Sequence, residues 1–239
     1  VIVIGTSSSD VTESEKRTIR SVIVVDRANS RIGLDTPLKF VHNGKSFSVS
    51  NRVIDNRAVV ILLSRNIVIR GASSTEQFGG HLLVGQFEVN RGTTSMYGVE
   101  LSNMGQFDNH RSAIVFQDLR DAPDQIISGC SIQESPNNAI KIIGSNKIRV
   151  HNNVVYRTVM SGIVCDFNTQ LNTFTNNIVM SSLHNGLGAI ADKDLKSFAS
   201  FDLKGTNNAR NNIVVGSEYF AYIVEADACS TVTDSMRFL

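Results

Sequence analysis

Short apolar segments separated by Asn, Gly and Ser turns recur from residue 58 onward, and this pattern predicts many short β-strands. Three segments align directly: Asn153-Val154-Val155, Asn177-Ile178-Val179 and Asn212-Ile213-Val214. Cys130-Ser131-Ile132 fits the same frame, so the four anchors lie 23, 24 and 35 residues apart. A small residue and then an apolar residue follow each anchor nine and ten positions later: Ala139 and Ile140, Gly162 and Ile163, Gly186 and Leu187, Ala221 and Tyr222.

A period in the twenties with fixed internal spacing predicts an all-β solenoid, the parallel β-helix. Helical repeats would space their apolar residues three and four apart, and these segments do not. Coils of a β-helix stack about 4.8 Å apart, so equivalent residues should meet in vertical columns. The alternative is an ordinary β-sandwich whose segments are alike by chance. The β-helix predicts an amide ladder and an aliphatic ladder: Asn153, Asn177 and Asn212; Ile132, Val155, Val179 and Val214.

Two regions are predicted, a small β unit over residues 1–57 and β-helix coils over residues 58–239. Glu13–Arg20 carries alternating charge and predicts a solvated strand, with a short helix as the alternative. The longest insertions, expected to project as loops, span residues 105–112, 118–124 and 189–205. Other strands of the small unit are predicted at Val1–Ile4, Ile19–Val25, Arg31–Leu34 and Leu38–Val41.

Composition narrows the functional classes. The net charge is +1, from 23 Lys and Arg against 22 Asp and Glu, and gives no general attraction to nucleic acid. The longest apolar run, Ala58–Leu63, is far below the ~20 residues of a membrane span, so we expect no direct membrane insertion by this segment. The 22 Asn residues suit a fold with many tight turns. The chain starts inside a strand-like run without Met, and we expect it to be a piece of a longer polypeptide.

Several segments resemble fibrocystin-type proteins, in the region that follows their eight-glycine domain. Leu62–Gly71 is the most similar segment, and Gly98–Gln106, Gly129–Ile132 and Asn153–Ile163 continue in the expected order. The resemblance covers residues 1–187. It implies a right-handed parallel β-helix in a large secreted or membrane-anchored ectodomain at the cell surface, including ciliary or flagellar surfaces.

Two functional branches share that architecture. One degrades hyaluronan and carries a His-Phe-His-like cluster where this chain has Ala113-Ile114-Val115-Phe116-Gln117, and a His where it has Asn103. The other comprises structural or receptor-like surface proteins. Because both imidazoles are missing, the sequence predicts a non-catalytic structural or adhesive segment, with a filament component as one form. A hyaluronan-type polysaccharide-degrading enzyme and a glycan-binding module remain as alternatives.

One candidate ligand loop stands out. Asp108, His110 and Arg111 put an acid, an imidazole and a guanidinium together, a set that can grip an anionic sugar. His81 follows Gly79-Gly80, as in the hyaluronan-degrading branch. The competing interpretation is a solvated loop tip and a structural histidine.

Acidic residues and cysteines give weaker signals. Asp118, Asp121 and Asp124 are weak candidates for Ca²⁺, because Arg120 interrupts them and no defined Ca²⁺ motif is present, so we expect no cofactor. Glu134 and Asp166 are a candidate carboxylate pair for glycoside hydrolysis, although their columns differ. Cys130 and Cys165 are expected to be buried thiols, and Cys229 is a candidate for a disulfide to another part of a longer chain.

The ends of a β-helix expose unpaired strand edges. We therefore expect neighbouring domains or subunits to cap both ends, with extracellular glycans as further partners of the projecting loops.

Overall fold

The computed structural model describes residues 1–72, 78–107, 111–183, 198–225 and 237–238. These residues form β-strands and one short 3₁₀ turn, Val11–Glu13. Within them, no helix has the length and apolar character needed to cross a bilayer. The strands are β1 (Ile2–Ile4), β2 (Glu15–Arg17), β3 (Ile19–Val24), β4 (Ser30–Leu34), β5 (Phe47–Val49), β6 (Arg52–Ile54), β7 (Val60–Leu62), β8 (Ile67–Arg70), β9 (Leu82–Phe87), β10 (Asn90–Arg91), β11 (Ser95–Tyr97), β12 (Val99–Ser102), β13 (Ile114–Asp121), β14 (Ile126–Ser128), β15 (Ser131–Ser135), β16 (Ile140–Asn146), β17 (Arg149–His151), β18 (Val154–Thr158), β19 (Ile163–Cys165), β20 (Gln170–Thr175), β21 (Ile178–Ser182), β22 (Ala199–Lys204), β23 (Thr206–Arg210), β24 (Ile213–Ser217), β25 (Phe220–Glu225) and β26 (Arg237–Phe238).

Strands β8 to β26 form three long sheets, which are the faces of a parallel β-helix. The first face has the order β24-β21-β18-β15-β12-β8, the second β10-β9-β13-β16-β19-β22-β25, and the third β11-β14-β17-β20-β23-β26. Each coil takes one strand from each face in turn, from coil 1 (β8, β9, β11) to coil 6 (β24, β25, β26). Strands of successive coils pair in parallel, and among the strands described for these faces only the short β10 runs antiparallel to its neighbour, β9. The predicted fold is confirmed.

Aliphatic and aromatic columns fill the space between the faces. On the first face Leu101 pairs with Ile132, Ile132 with Val155, and Val155 with Val179, and all four side chains are fully buried. Val214 extends this column at coil 6 and is partly buried. The third face contributes the residues three positions before each anchor: Ile127, Val150, Phe174 and Ala209. The positions that repeat in the sequence are therefore the positions whose side chains form the core.

The sequence alignment is wrong in one coil. Phe201, rather than Leu187, pairs with Ile163 on the second face, and its ring stacks on Tyr222 with centroids 5.0 Å apart. Leu187 lies outside the described residues. The 35-residue interval explains the error, because the extra residues precede the second-face strand instead of following it.

The N-terminal strands form a brace along the side of the solenoid. β1 lies between β2 and β7 in an antiparallel sheet, and its Val3 packs with Ile61 and Leu63 against Tyr156 and Met180, which point outward from the first face. Because β7 shares this sheet with β1, the unit reaches past residue 57. The division of the chain at that position stays a prediction.

The brace crosses several coils. At one end the Val1 ammonium donates to Ser64 Oγ, next to Arg65, whose Nε donates to the Gly129 carbonyl at coil 3. At the other end Gly5 lies against Val215 of coil 6, so closely that an added Cβ would be 2.7 Å from Val215 Cγ1. Between them Lys16 Nζ donates to Gln133 Oε1 at 2.8 Å. β1 thus runs along the stacking direction of the coils.

A buried carboxylate fixes the loop after β4. The amides of Lys39 and Phe40, the His42 ring and the Arg17 guanidinium donate to Glu15, which is 4% exposed. The strand predicted at Leu38–Val41 is therefore wrong, because two of its amides bond this carboxylate instead of a neighbouring strand. The predicted strand at Glu13–Arg20 is present as β2 and the start of β3, but Glu13 belongs to the 3₁₀ turn, and Glu15, the first residue of β2, is buried instead of solvated.

Candidate functional site

An amide ladder runs through coils 4 to 6 at the start of the first face. Asn153 Nδ2 donates to Asn177 Oδ1 at 3.0 Å, and Asn177 Nδ2 donates to Asn212 Oδ1 at 3.0 Å. Each of these side chains also bonds backbone: Asn177 Nδ2 reaches the Val150 carbonyl at 2.9 Å, and its Oδ1 accepts from the Asn153 amide at 3.1 Å. At coil 3 the column ends in Cys130, whose amide donates to Asn153 Oδ1 and whose thiol points at the Ser128 carbonyl.

A second buried amide ladder escaped the sequence analysis. Asn172 and Asn207 lie near the start of the third-face strands β20 and β23, and the Asn172 amide donates to Asn207 Oδ1 at 3.1 Å. The side chain of Gln125 plays the same part in coil 2, with Oε1 accepting from the Thr94 amide. Asn172 and Asn207 are 35 residues apart, the same interval as Asn177 and Asn212, and this repeated spacing is the signal that could have revealed them.

Of the candidate ligand residues, His81 and Arg111 are close enough for the Arg111 charge to act on the imidazole. Burial, and then the Arg111 charge, lower the pKa of His81 below its ordinary value, and His81 Nδ1 is buried without a hydrogen-bond partner. Arg111 Nη1 donates to Gln106 Oε1 at 3.3 Å, and Gln106 Nε2 donates to the Gly79 carbonyl. Asp108 and His110 lie outside the described residues. The pair can hold an anion through Arg111 and accept or donate one hydrogen bond through the imidazole.

The three spaced aspartates are directed to different partners. Lys147 Nζ donates to Asp121 at 2.5 Å, and Arg91 Nη2 donates to both oxygens of Asp124 at 2.9 Å. Asp118 lines an open cleft with Glu88 and Arg120. Within the described ranges no three His, Cys, Asp or Glu residues are grouped as metal ligands. The Ca²⁺ alternative stays a prediction without a cluster that supports it.

Glu134 and Asp166 do not form a pair. Glu134 is on the first face between Lys16 and Arg157, at 3.7 and 3.6 Å, whereas Asp166 follows β19 on the second face. Cys165 is fully buried, and burial raises the pKa of its thiol to about 12. Cys130 is also a buried free thiol. Cys229 lies outside the described residues.

A carboxylate that the sequence analysis did not single out lies beside Asp166. Asp202 belongs to β22 and points outward from the second face, yet it is 5% exposed. It lines a cleft of about 160 Å³ together with Asp166, Lys141 and Lys204. Only the three-dimensional pairing of β19 with β22 brings these residues together, because they are separated by up to 63 positions.

Comparison with known proteins gives a consistent result. The family profile described as CEMIP beta-helix matches residues 77–236. Fibrocystin-L of Mus musculus is 28% identical over 259 residues, which cover 99% of this chain and 6% of that protein. Fibrocystin of Canis lupus familiaris is 28% identical over 236 residues, 96% of this chain and 5% of its own length. A G8 domain-containing protein of Dictyostelium discoideum is 29% identical over 127 residues, 50% of this chain and 8% of that protein. The chain thus spans about 6% of the length of the first of these relatives.

Proposed function

Because this fibrocystin-like chain belongs to the CEMIP β-helix family, we propose that it is a non-catalytic structural segment of a large extracellular cell-surface protein. The observation that carries the proposal is the continuity of the coils. Two amide ladders and three apolar columns pass through successive coils, and the brace ties coils 3 to 6 on the outside. Such a rod of six coils, on the order of 25–30 Å long, suits a spacer or adhesive segment.

The strand that aligns with the imidazole cluster of the hyaluronan-degrading branch supports a role without turnover. Ala113, Ile114 and Phe116 are fully buried in the column that continues through β16. Their side chains pack the core and carry no proton-transfer group. This strand therefore contributes to the stability of the core.

We further propose that neighbouring domains or subunits cap the rod. β8 and β11 are the terminal strands of their sheets, and Ile67 of β8 is 60% exposed. The brace lies on the side and leaves this edge uncovered within the described residues. Capping here would permit end-to-end assembly into surface filaments, including those of cilia or flagella.

An epitope tag in the exposed β5–β6 turn of the full-length protein tests the location. We expect labelling of intact cells, with a cytoplasmic marker unlabelled as the control, and co-staining with ciliary or flagellar markers. Labelling only after permeabilisation would contradict the proposal.

A second candidate function, binding or cleavage of an anionic polysaccharide such as hyaluronan, is favoured by one observation. His81, whose buried Nδ1 has no hydrogen-bond partner, is close enough to Arg111 for that charge to act on its imidazole. Incubation with hyaluronan followed by sizing of the polymer separates the two functions. The structural proposal expects unchanged chain length. Shortening that is lost in His81→Ala, and retained in His151→Ala on the third face, would establish the second function instead.

A further inference from the structure

Among the described residues, three acidic side chains are buried: Glu15, Glu100 and Asp202. Glu100 accepts from Gln133 Nε2 at 2.7 Å and from the Arg65 amide at 3.2 Å. Glu15 accepts hydrogen bonds from two amides, His42 and Arg17. Asp202 makes no hydrogen bond at Oδ1, although it is 5% exposed. Burial, reinforced by Glu225 and Asp166 and opposed by Lys204 and Lys141, raises the pKa of Asp202 to about 6. At neutral pH a mostly ionised oxygen is thus held away from water without a donor.

The fold does not need a carboxylate at this position. The cross-strand neighbours of Asp202 in the adjacent coils are Val164 and Ile223, so an aliphatic side chain would continue the column. A buried, unpaired carboxylate costs stability in most contexts. Such a group in a cleft is a candidate for ligand contact, because the ligand supplies the missing donors.

The composition of the cleft restricts the ligand. Lys141 and Lys204 disfavour a cation, and Asp166 and Asp202 disfavour an anion. A neutral ligand with several hydroxyl groups satisfies both sets, since each hydroxyl donates to a carboxylate or accepts from an ammonium. Met160 and Phe198 supply apolar contact for the C–H face of a ring. The volume, about 160 Å³, accommodates one sugar ring.

We propose that this cleft on the second face binds one neutral pyranose unit of an extracellular glycan, with Asp202 accepting hydrogen bonds from its hydroxyl groups. The site differs from the His81–Arg111 surface, and the proposal goes beyond the structural role without depending on it. Lys141 and Lys204 donate to sugar oxygens, and Asp166 accepts at the opposite side of the ring. The rod then carries a lectin-like subsite on one of its faces.

Saturation-transfer NMR and calorimetry on the 239-residue chain test the proposal with glucose, galactose, mannose and N-acetylglucosamine as probes. At least one of them should bind with a dissociation constant in the millimolar range, and glucuronate and glucosamine should bind more weakly. Asp202→Asn, which is isosteric, should weaken binding at least tenfold. Asp55→Asn, in an exposed hairpin far from the cleft, should leave binding unchanged.

Thermal unfolding of each variant tests whether the fold is retained. Lys141→Gln is a second variant of the cleft, at a residue outside the buried column, and it should also weaken binding. His81→Ala should bind the monosaccharide as the parent chain does. Absence of binding by all four neutral sugars overturns the proposal. Preferential binding of the charged sugars, or unchanged affinity in Asp202→Asn, overturns it as well.

Discussion

At the scale of single residues, asparagine solves a problem that stacked coils create. Turns inside a solenoid leave buried amides and carbonyls without strand partners, and each would cost free energy if unpaired. One carboxamide satisfies both kinds of group, as Asn177 does by donating to Val150 and Asn212 and accepting from Asn153. Cys130 ends the column because a thiol donates weakly to a carbonyl and needs no further partner.

Asn177→Ala should lower the free energy of unfolding by about 2–4 kcal/mol, because it leaves several buried groups unpaired. Urea unfolding at neutral pH measures the change. Asn208→Ala is the matched control, since that side chain makes no hydrogen bond within the described part of the chain, and it should cost under about 1 kcal/mol. Equal losses in the two variants would mean that the ladder contributes no special stability.

Glu15 and Asp202 should change the stability of the chain with pH in opposite directions. Hydrogen bonds to the Glu15 carboxylate outweigh its burial and lower its pKa to about 2. Ionised Glu15 contributes about 1–3 kcal/mol to the free energy of unfolding. This contribution is complete above about pH 4.5, the pKa of the group in the unfolded chain, and it is lost as the pH falls toward 2. Glu15→Gln should destabilise the chain at pH 7 and flatten this acid loss. An unchanged acid slope in urea titrations of the variant would assign the loss to other groups.

Asp202 has the reverse sign, because burial raises the pKa of this carboxyl to about 6. The buried charge lowers the free energy of unfolding by its full amount above pH 6. This loss disappears below about pH 3.8, which is the pKa of the group in the unfolded chain. Asp202→Asn should therefore stabilise the chain at pH 7.4, on the order of 1–3 kcal/mol, and change it little at pH 4. A variant less stable than the parent at pH 7.4 would show that the carboxylate has a structural partner.

At the scale of elements, the close approach of coils sets the size of residues at the turns. An added Cβ at Gly162 would be 2.6 Å from Val179 Cγ1 and 2.7 Å from the Ser200 carbonyl. The small residue nine positions after Asn153 is therefore a packing requirement. Gly44, by contrast, has open space where a Cβ would be.

Gly162→Ala should cost about 1–3 kcal/mol, since both contacts must move, one of them backbone. Gly44→Ala should be neutral or slightly stabilising because it restricts the unfolded chain. Thermal unfolding of the two variants in parallel measures the difference. If both melt at the parent temperature, the turn has more room than the structure shows.

The sequence predicts those elements whose side chains repeat from coil to coil. The columns of Asn153 and Val155 were visible because the intervals of 23 and 24 residues leave them in register. Phe201 was missed because an insertion shifted its strand, and the brace was missed because its contacts are unique and occur once. Asp202 was missed for a related reason: its neighbours in the cleft come from three different coils.

At the scale of the molecule, the coils form a linear array in which each coil contacts its neighbours. Stability in such arrays is close to a sum of coil and interface terms, so the ends should open first. Within the described residues the brace contacts coils 3 to 6, the Arg65 amide donates to Glu100 of coil 2, and β8 and β11 of coil 1 have a free side.

Hydrogen exchange should therefore be slowest in β15, β18 and β21 and fastest in β8 and β11. Mass spectrometry of peptic peptides at neutral pH measures these rates. Met180→Ala, which removes a contact with the brace, should speed exchange in coils 3 to 6 more than in coil 1. Uniform protection from coil 1 to coil 6 would indicate a single cooperative unit.

The direction of β1 has a mechanical consequence. A solenoid stretched along its axis separates one coil from the next in sequence, and this route breaks few hydrogen bonds at a time. Because β1 runs along the axis across several coils, separating those coils requires β1 to slide past them. The contacts of Val3, Gly5 and their neighbours must then break together. The segment should thus yield under tension late and abruptly, a property that suits the structural role proposed for it.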